Sequence, residues 1–247
     1  MRWRSLIFCL LLGGCTGTET GNPSLSGSLG YDAYTTRPSV VALLAAPDPA
    51  ADVTVVDSAW LVLGDVGFVA QSDCSQRAEA TAHAPGLGAG DHAATQAPAT
   101  RFDAEVGRYC GVTLPLMAES TIPTGAPPEL AGASILIEGQ RPGAQRFRIV
   151  SDQQSELFLR ADGAGFELHD ESSGVLIGFD VASWLGTLDW AAAVANAKGV
   201  IEVDSAQNPE MLAEFERRLA TGIALFVDRD RDGKLDSNAP APIATAE

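Results

Sequence analysis

Between residues 112 and 179 the chain repeats one pattern: short apolar or alternating segments separated by turn residues. This repetition constrains the fold more than any other feature. Segments 112–117, 134–138, 146–150, 156–160, 166–169 and 175–179 are each of strand length, and most are divided by Gly- or Pro-containing breaks. Phe147 and Ile149 alternate with Arg146 and Arg148, while Leu157 and Leu159 alternate with Glu156, Phe158 and Arg160. Period-two alternation of this kind belongs to an antiparallel sheet with one face in water. Upstream, 52–69 is rich in β-branched residues. Ala59, Leu61 and Leu63 occupy one face and Trp60 and Val62 the other, as in a strand covered on both sides or a hairpin turning at Gly64-Asp65. The expected fold is mainly β, an antiparallel β-sandwich over 39–205 with a few added helices, one of them near the C-terminus.

The period then changes to about 3.6 residues, the helical value. Val181, Trp184, Leu185 and Leu188 follow Asp180, a suitable N-cap, and Asp189 is placed to cap a second helical turn ending near Gly199. Residues 199–204 return to strand. Asn208-Pro209 opens a helix whose apolar stripe is Met211, Phe215, Leu219 and Phe226. Between residues 71 and 110 neither period persists, and Ala is scattered among Gly, Pro, Asp and Thr; this reads as an irregular insertion. Gly86-Leu87-Gly88-Ala89-Gly90 within it lacks the strand and helix that a nucleotide-binding loop requires, and reads as a flexible stretch.

At the amino terminus, Arg2 and Arg4 precede the apolar run Leu6-Ile-Phe-Cys-Leu-Leu-Leu12, which is too short to span a bilayer. Leu12-Gly13-Gly14-Cys15 resembles the lipobox of bacterial lipoproteins. That resemblance implies a signal peptide at 1–14, cleavage before Cys15 and acylation of that cysteine. Thr16 stands where an Asp would, by the enteric sorting rule, retain the product in the inner membrane, so the resemblance implies a bacterial envelope protein of the outer membrane. Its acyl chains are then its contact with the membrane, and no transmembrane helix is required. Residues 15–38 read as an acylated flexible tether, because ten of the fifteen residues 16–30 are Gly, Ser or Thr. The residual similarity to uncharacterised lipoproteins carrying a β-sandwich identifies no activity.

Losing Arg2 and Arg4 with the leader takes the net charge from −16 to −18. Nucleic acid is excluded as a partner by that charge, since phosphate binding requires clustered Lys and Arg. Beside the membrane, the partner class considered is an envelope protein or a glycan. With Cys9 removed and Cys15 acylated, Cys74 and Cys110 are left to form one disulfide in an oxidising compartment.

Asp228-Arg229-Asp230-Arg231-Asp232-Gly233-Lys234-Leu235-Asp236 resembles the first nine positions of an EF-hand or dockerin calcium loop. Asp228, Asp230, Asp232 and Asp236 fall at the carboxylate positions, Gly233 at the sharp bend, and Lys234 where a backbone carbonyl is the ligand. The similarity departs at the twelfth position, where Ala239 replaces the bidentate Glu, so the calcium site it implies is weak. Residues 206–238 are thus expected as a helix plus calcium-type loop, and 239–247 as a disordered tail. His83, His92 and His169 read as solvent-facing. The chain contains none of the His-Glu-x-x-His, Gly-x-Ser-x-Gly or Cys-x-x-Cys motifs. The resulting expectation is a membrane-anchored lipoprotein with a non-catalytic binding or scaffolding domain. The alternative is an envelope hydrolase whose carboxylates and histidines converge from distant segments.

Overall fold

The structure, a computed structural model, describes residues 23–35, 54–71, 74, 78–94, 99–169, 174–236 and 241–246. Its fold is mainly β, as expected. In chain order the strands are β1 (Ser24–Tyr34), β2 (Val55–Leu63), β3 (Val66–Ala70), β4 (Ala82–Ala84), β5 (Gly88–Asp91), β6 (Ala99–Glu105) and β7 (Gly107–Leu116). They continue as β8 (Ile135–Arg141), β9 (Gln145–Ser151), β10 (Ser155–Ala161), β11 (Phe166–Leu168) and β12 (Gly174–Asp180). After helix α1 (Val181–Gly186) come β13 (Ile201–Val203), helix α2 (Pro209–Arg218), β14 (Ile223–Val227) and β15 (Ala244–Ala246).

These strands form one hydrogen-bonded path, β13-β9-β8-β2-β7-β10-β15-β14-β12-β1-β6, with β3, β4, β5 and β11 pairing beside it. The sheet is mixed rather than antiparallel throughout. β1 runs parallel to β12, and β13 runs parallel to β9. β2 meets β7 only at its end, where Leu63 pairs with Leu116 and the Met117 N–H donates to the Val62 carbonyl. On either side of that narrow link the two halves turn their apolar faces into a common core, to which β8, β9 and β13 contribute along with β1, β6 and β12. β4 touches β6 without forming a ladder with it. The outer side of β2 is covered as its two-faced apolar pattern predicts: Val62 and Trp60 pack with Leu130, Ala133 and Leu136.

Several boundaries differ from those read in the sequence. The tether assigned to 15–38 contains β1, which is paired on both sides, with β12 and β6, and buries Leu25, Leu29 and Tyr31. The composition of this stretch hid its period: Leu25, Leu29 and Tyr31 recur at inward positions, separated by Ser and Gly, of which Ser24 and Ser26 are exposed. The expected start of the fold near Ser39 lies outside the described residues. The irregular insertion at 71–110 holds β4, β5, β6 and the start of β7, and its Gly-rich stretch pairs with β2 as β5. No hairpin forms at Gly64-Asp65, because β2 and β3 do not pair with each other but follow one another along β7, Leu63 opposite Leu116 and Gly67 opposite Thr113.

The helices are shorter than their patterns suggest. Asp180 caps α1 as expected, its carboxylate accepting from the Ser183 N–H at 3.0 Å. Residues 189–199 form turns instead of a second helix; there Asp189 accepts from the N–H groups of Ala191 and Ala192. α2 ends at Arg218, and Phe226 belongs to β14 rather than to the helix stripe. Asn208 adopts a left-handed conformation with φ of 53° and makes no side-chain cap on α2. Its amide instead joins Val194 and Glu202. The tail assigned to 239–247 contains β15, which fills the space between β10 and β14.

Candidate metal centre

β14 carries the chain out of the core and delivers Asp228 to the outer face of the sheet. The Asp228 N–H donates to the Gly174 carbonyl at 3.0 Å, continuing the pairing of β14 with β12. From there the backbone turns back on itself, with left-handed residues at Arg231 (φ 59°) and Gly233 (φ 74°). The Asp228 carboxylate organises the turn. One oxygen accepts from the Arg231 N–H at 2.9 Å and the other from the Gly233 N–H at 3.1 Å. Asp232 accepts from the Lys234 N–H at 2.8 Å. These local bonds are the usual way short acidic side chains hold a tight loop.

The turn draws Asp228, Asp230 and Asp232 together, so that one carboxylate oxygen of each lies within 4.8 Å of the others. Oxygen ligands surround calcium at about 2.3–2.6 Å, so neighbouring ligand oxygens are separated by no more than about twice that distance. The three carboxylates therefore fit the ligand spacing of one hard cation. Asp228 is buried whereas Asp230 and Asp232 are exposed, which makes the site open on one side. Burial pushes the Asp228 carboxyl up to about 6, and neighbouring Asp230 adds to the rise, while the N–H donors of Gly233 and Arg231 oppose it. A cation beside these groups would favour the ionised form.

The loop is seated on β1 and β12 by close approach. A Cβ on Gly30 would stand 2.8 Å from the Gly233 Cα, and one on Gly174 would stand 2.1 Å from the Asp228 carbonyl oxygen. Only glycine leaves room at either place. Asp32 on β1, 6% exposed, receives the Lys234 ammonium at 2.9 Å and the Leu235 N–H at 3.0 Å. The ammonium also donates to the Ala94 carbonyl. Leu235 adds an apolar contact over Leu176, Ala224 and Phe226. The carboxy-terminal loop is thus fastened to the first strand, about two hundred residues earlier in the chain.

Of the residues singled out in the sequence, the structure brings Asp228, Asp230 and Asp232 together. Asp236 is exposed and stands outside this trio. The Lys234 side chain leaves the loop to meet Asp32, and Ala239 lies outside the described residues. Asp32, Gly30 and Gly174 carried no sequence signal of their own, because their roles depend on register with a loop distant in sequence. Cys74 and Cys110 form a disulfide with their Cα atoms 5.0 Å apart. Cys15 lies outside the described residues. His83 and His169 are exposed, but His92, expected in solvent, is fully buried between Tyr31 and Phe179.

The chain matches no protein-family model, no curated protein and no solved structure. No helix among the described residues is long and apolar enough to cross a membrane.

Proposed function

We propose that this chain is a lipid-anchored bacterial envelope protein whose β-domain binds or scaffolds a partner, with the loop 228–236 as a structural calcium site. The observation that carries the reading is the convergence of Asp228, Asp230 and Asp232 behind the sheet, on a loop fastened to β1 and β12. A cation there would neutralise crowded carboxylates and stiffen the join between the two ends of the chain. The site's place on the outside of the sheet, with two of its three carboxylates exposed, favours a structural ion over one that polarises a substrate. An envelope protein or a glycan is the partner class, the acidic surface disfavouring nucleic acid.

Calcium titrated into the protein in a calorimeter should bind at one site with Kd of about 10⁻⁴ to 10⁻³ M, the range of weak extracellular sites. The double variant Asp228→Ala, Asp232→Ala should lose this binding; unchanged heat in the double variant would refute the site. The anchor has a separate test. Labelled palmitate fed to a bacterium producing the chain should enter the wild type and be absent from Cys15→Ser, and a product that keeps Met1 and takes up no label would refute acylation.

A further inference from the structure

The early start of β1 changes what an anchor at Cys15 can do. Only eight residues, Thr16 to Pro23, separate that cysteine from Ser24, where a tether running to residue 38 would have left twenty-three. However those eight are arranged, they reach at most about 30 Å, since an extended chain gains about 3.3–3.6 Å per residue. β1 itself, with eleven residues, is about 33 Å from end to end. The reach of the tether is thus no greater than the length of the first strand.

The point at which the chain enters the domain is fixed as well. The Val106 N–H donates to the Pro23 carbonyl at 2.8 Å, and Ser24 opposite Glu105 opens the ladder of β1 with β6. The tether therefore leaves the domain beside the β6–β7 turn. From there β1 runs, paired on both sides, to Tyr34, which stands opposite Asp180 at the start of α1. Charge decides how the domain stands on so short a tether. Loss of Arg2 and Arg4 takes the net charge from −16 to −18, so anionic headgroups repel the body of the domain over a Debye length of about 8 Å. The acyl chains hold down the entry point alone, and the repulsion turns the remainder away from the surface.

We propose that the domain stands end-on at the lipid surface, the β6–β7 turn toward the headgroups and the end formed by Tyr34, Asp180 and α1 away from them, where a partner meets it. This rests on the acylation of Cys15 proposed above and is independent of the calcium loop.

The test uses the full-length product purified from a bacterium and added to preformed vesicles of phosphatidylcholine and phosphatidylglycerol that carry an energy-acceptor dye on a headgroup. A donor dye is placed on Glu105→Cys at the near end or on Ser183→Cys at the far end, both exposed positions; Cys74 and Cys110 are bonded to each other and do not react. Each variant is first checked for a wild-type thermal midpoint and for flotation with the vesicles. Transfer to a plane of acceptors falls with the fourth power of height. With about 30 Å or less beneath the turn and about 33 Å more to the far end, the Glu105 probe should transfer about tenfold faster than the Ser183 probe, or more. Inserting about twenty Gly and Ser residues after Thr16 should preserve flotation and the thermal midpoint but bring the ratio toward one. Equal transfer from the two probes, faster transfer from Ser183, or a ratio that survives the longer tether would overturn the proposal and leave the anchor standing. A product that does not float with the vesicles would refute the anchor, and the orientation with it.

Discussion

His92 shows what a single buried residue contributes to pH dependence in this molecule. Its ring is fully enclosed between Tyr31 and Phe179, and neither nitrogen has a hydrogen-bond partner of good geometry. Burial pushes its pKa down to about 3; the Leu61 carbonyl, which favours the protonated ring, offsets little of this, and the Lys234 ammonium lowers it further. Because the unfolded chain has the ordinary value near 6.5, the unfolded state binds the proton first. The stability due to neutral His92 is therefore fully present above about pH 6.5 and is lost as pH falls toward 3. Substituting His92→Leu removes the titrating group without breaking a hydrogen bond. Urea unfolding of this variant should show a shallower loss of stability between pH 6.5 and pH 4 than wild type, and identical slopes would mean that the ring does not stay neutral in the fold. The sequence placed His92 in solvent because it sits among Gly, Asp and Ala. Nothing local records that its backbone bridges β1 and β2, the His92 carbonyl accepting from Ala33 and its N–H donating to Ala59.

At the scale of elements, the acidic loop and β1 are mutually dependent. The loop was legible because its ligand pattern is local: alternating aspartates and one glycine are confined to nine residues. Its seat was not, since Gly30 and Gly174 matter only once β1, β12 and β14 are in register. The same limit explains α2. Leu219 and Phe226 continue a helical stripe, yet the chain makes a short turn at Ala220–Gly222 and becomes β14, where pairing with β12 decides. A Cβ on Gly222 would stand 2.2 Å from the Trp184 indole nitrogen, so the close approach of α1 also fixes this turn. Replacing Gly30 by Val should lift the loop from the sheet. The expected result is loss of stability of about 1–3 kcal/mol, the usual cost of forcing a side chain into a packed space, together with weaker calcium binding. Calcium affinity equal to wild type in Gly30→Val would show that the loop binds its ion independently of β1.

For the molecule as a whole, strand periodicity identified a mainly β fold, and Cys74 and Cys110, the two cysteines outside the expected leader and acylation site, identified the disulfide. The parallel pairing of β1 with β12, the late insertion of β15 and the single path through the sheet were not legible. They rest on contacts between the ends of the chain, and such contacts leave no pattern in any local window. The composition of the first strand even pointed the other way, toward a tether. The resulting architecture places β1 under the loop 228–236, and a cation in that loop would tie these two distant segments together. Thermal unfolding in millimolar calcium and in chelator tests this most directly. If the ion binds only the folded chain with the Kd expected above, about 10 mM calcium adds about 1.4 to 2.7 kcal/mol, which for a domain of this size raises the midpoint by about 3–10 °C. The account predicts that rise in wild type and its disappearance in the Asp228→Ala, Asp232→Ala variant. Equal midpoints in calcium and in chelator for the wild type would contradict it.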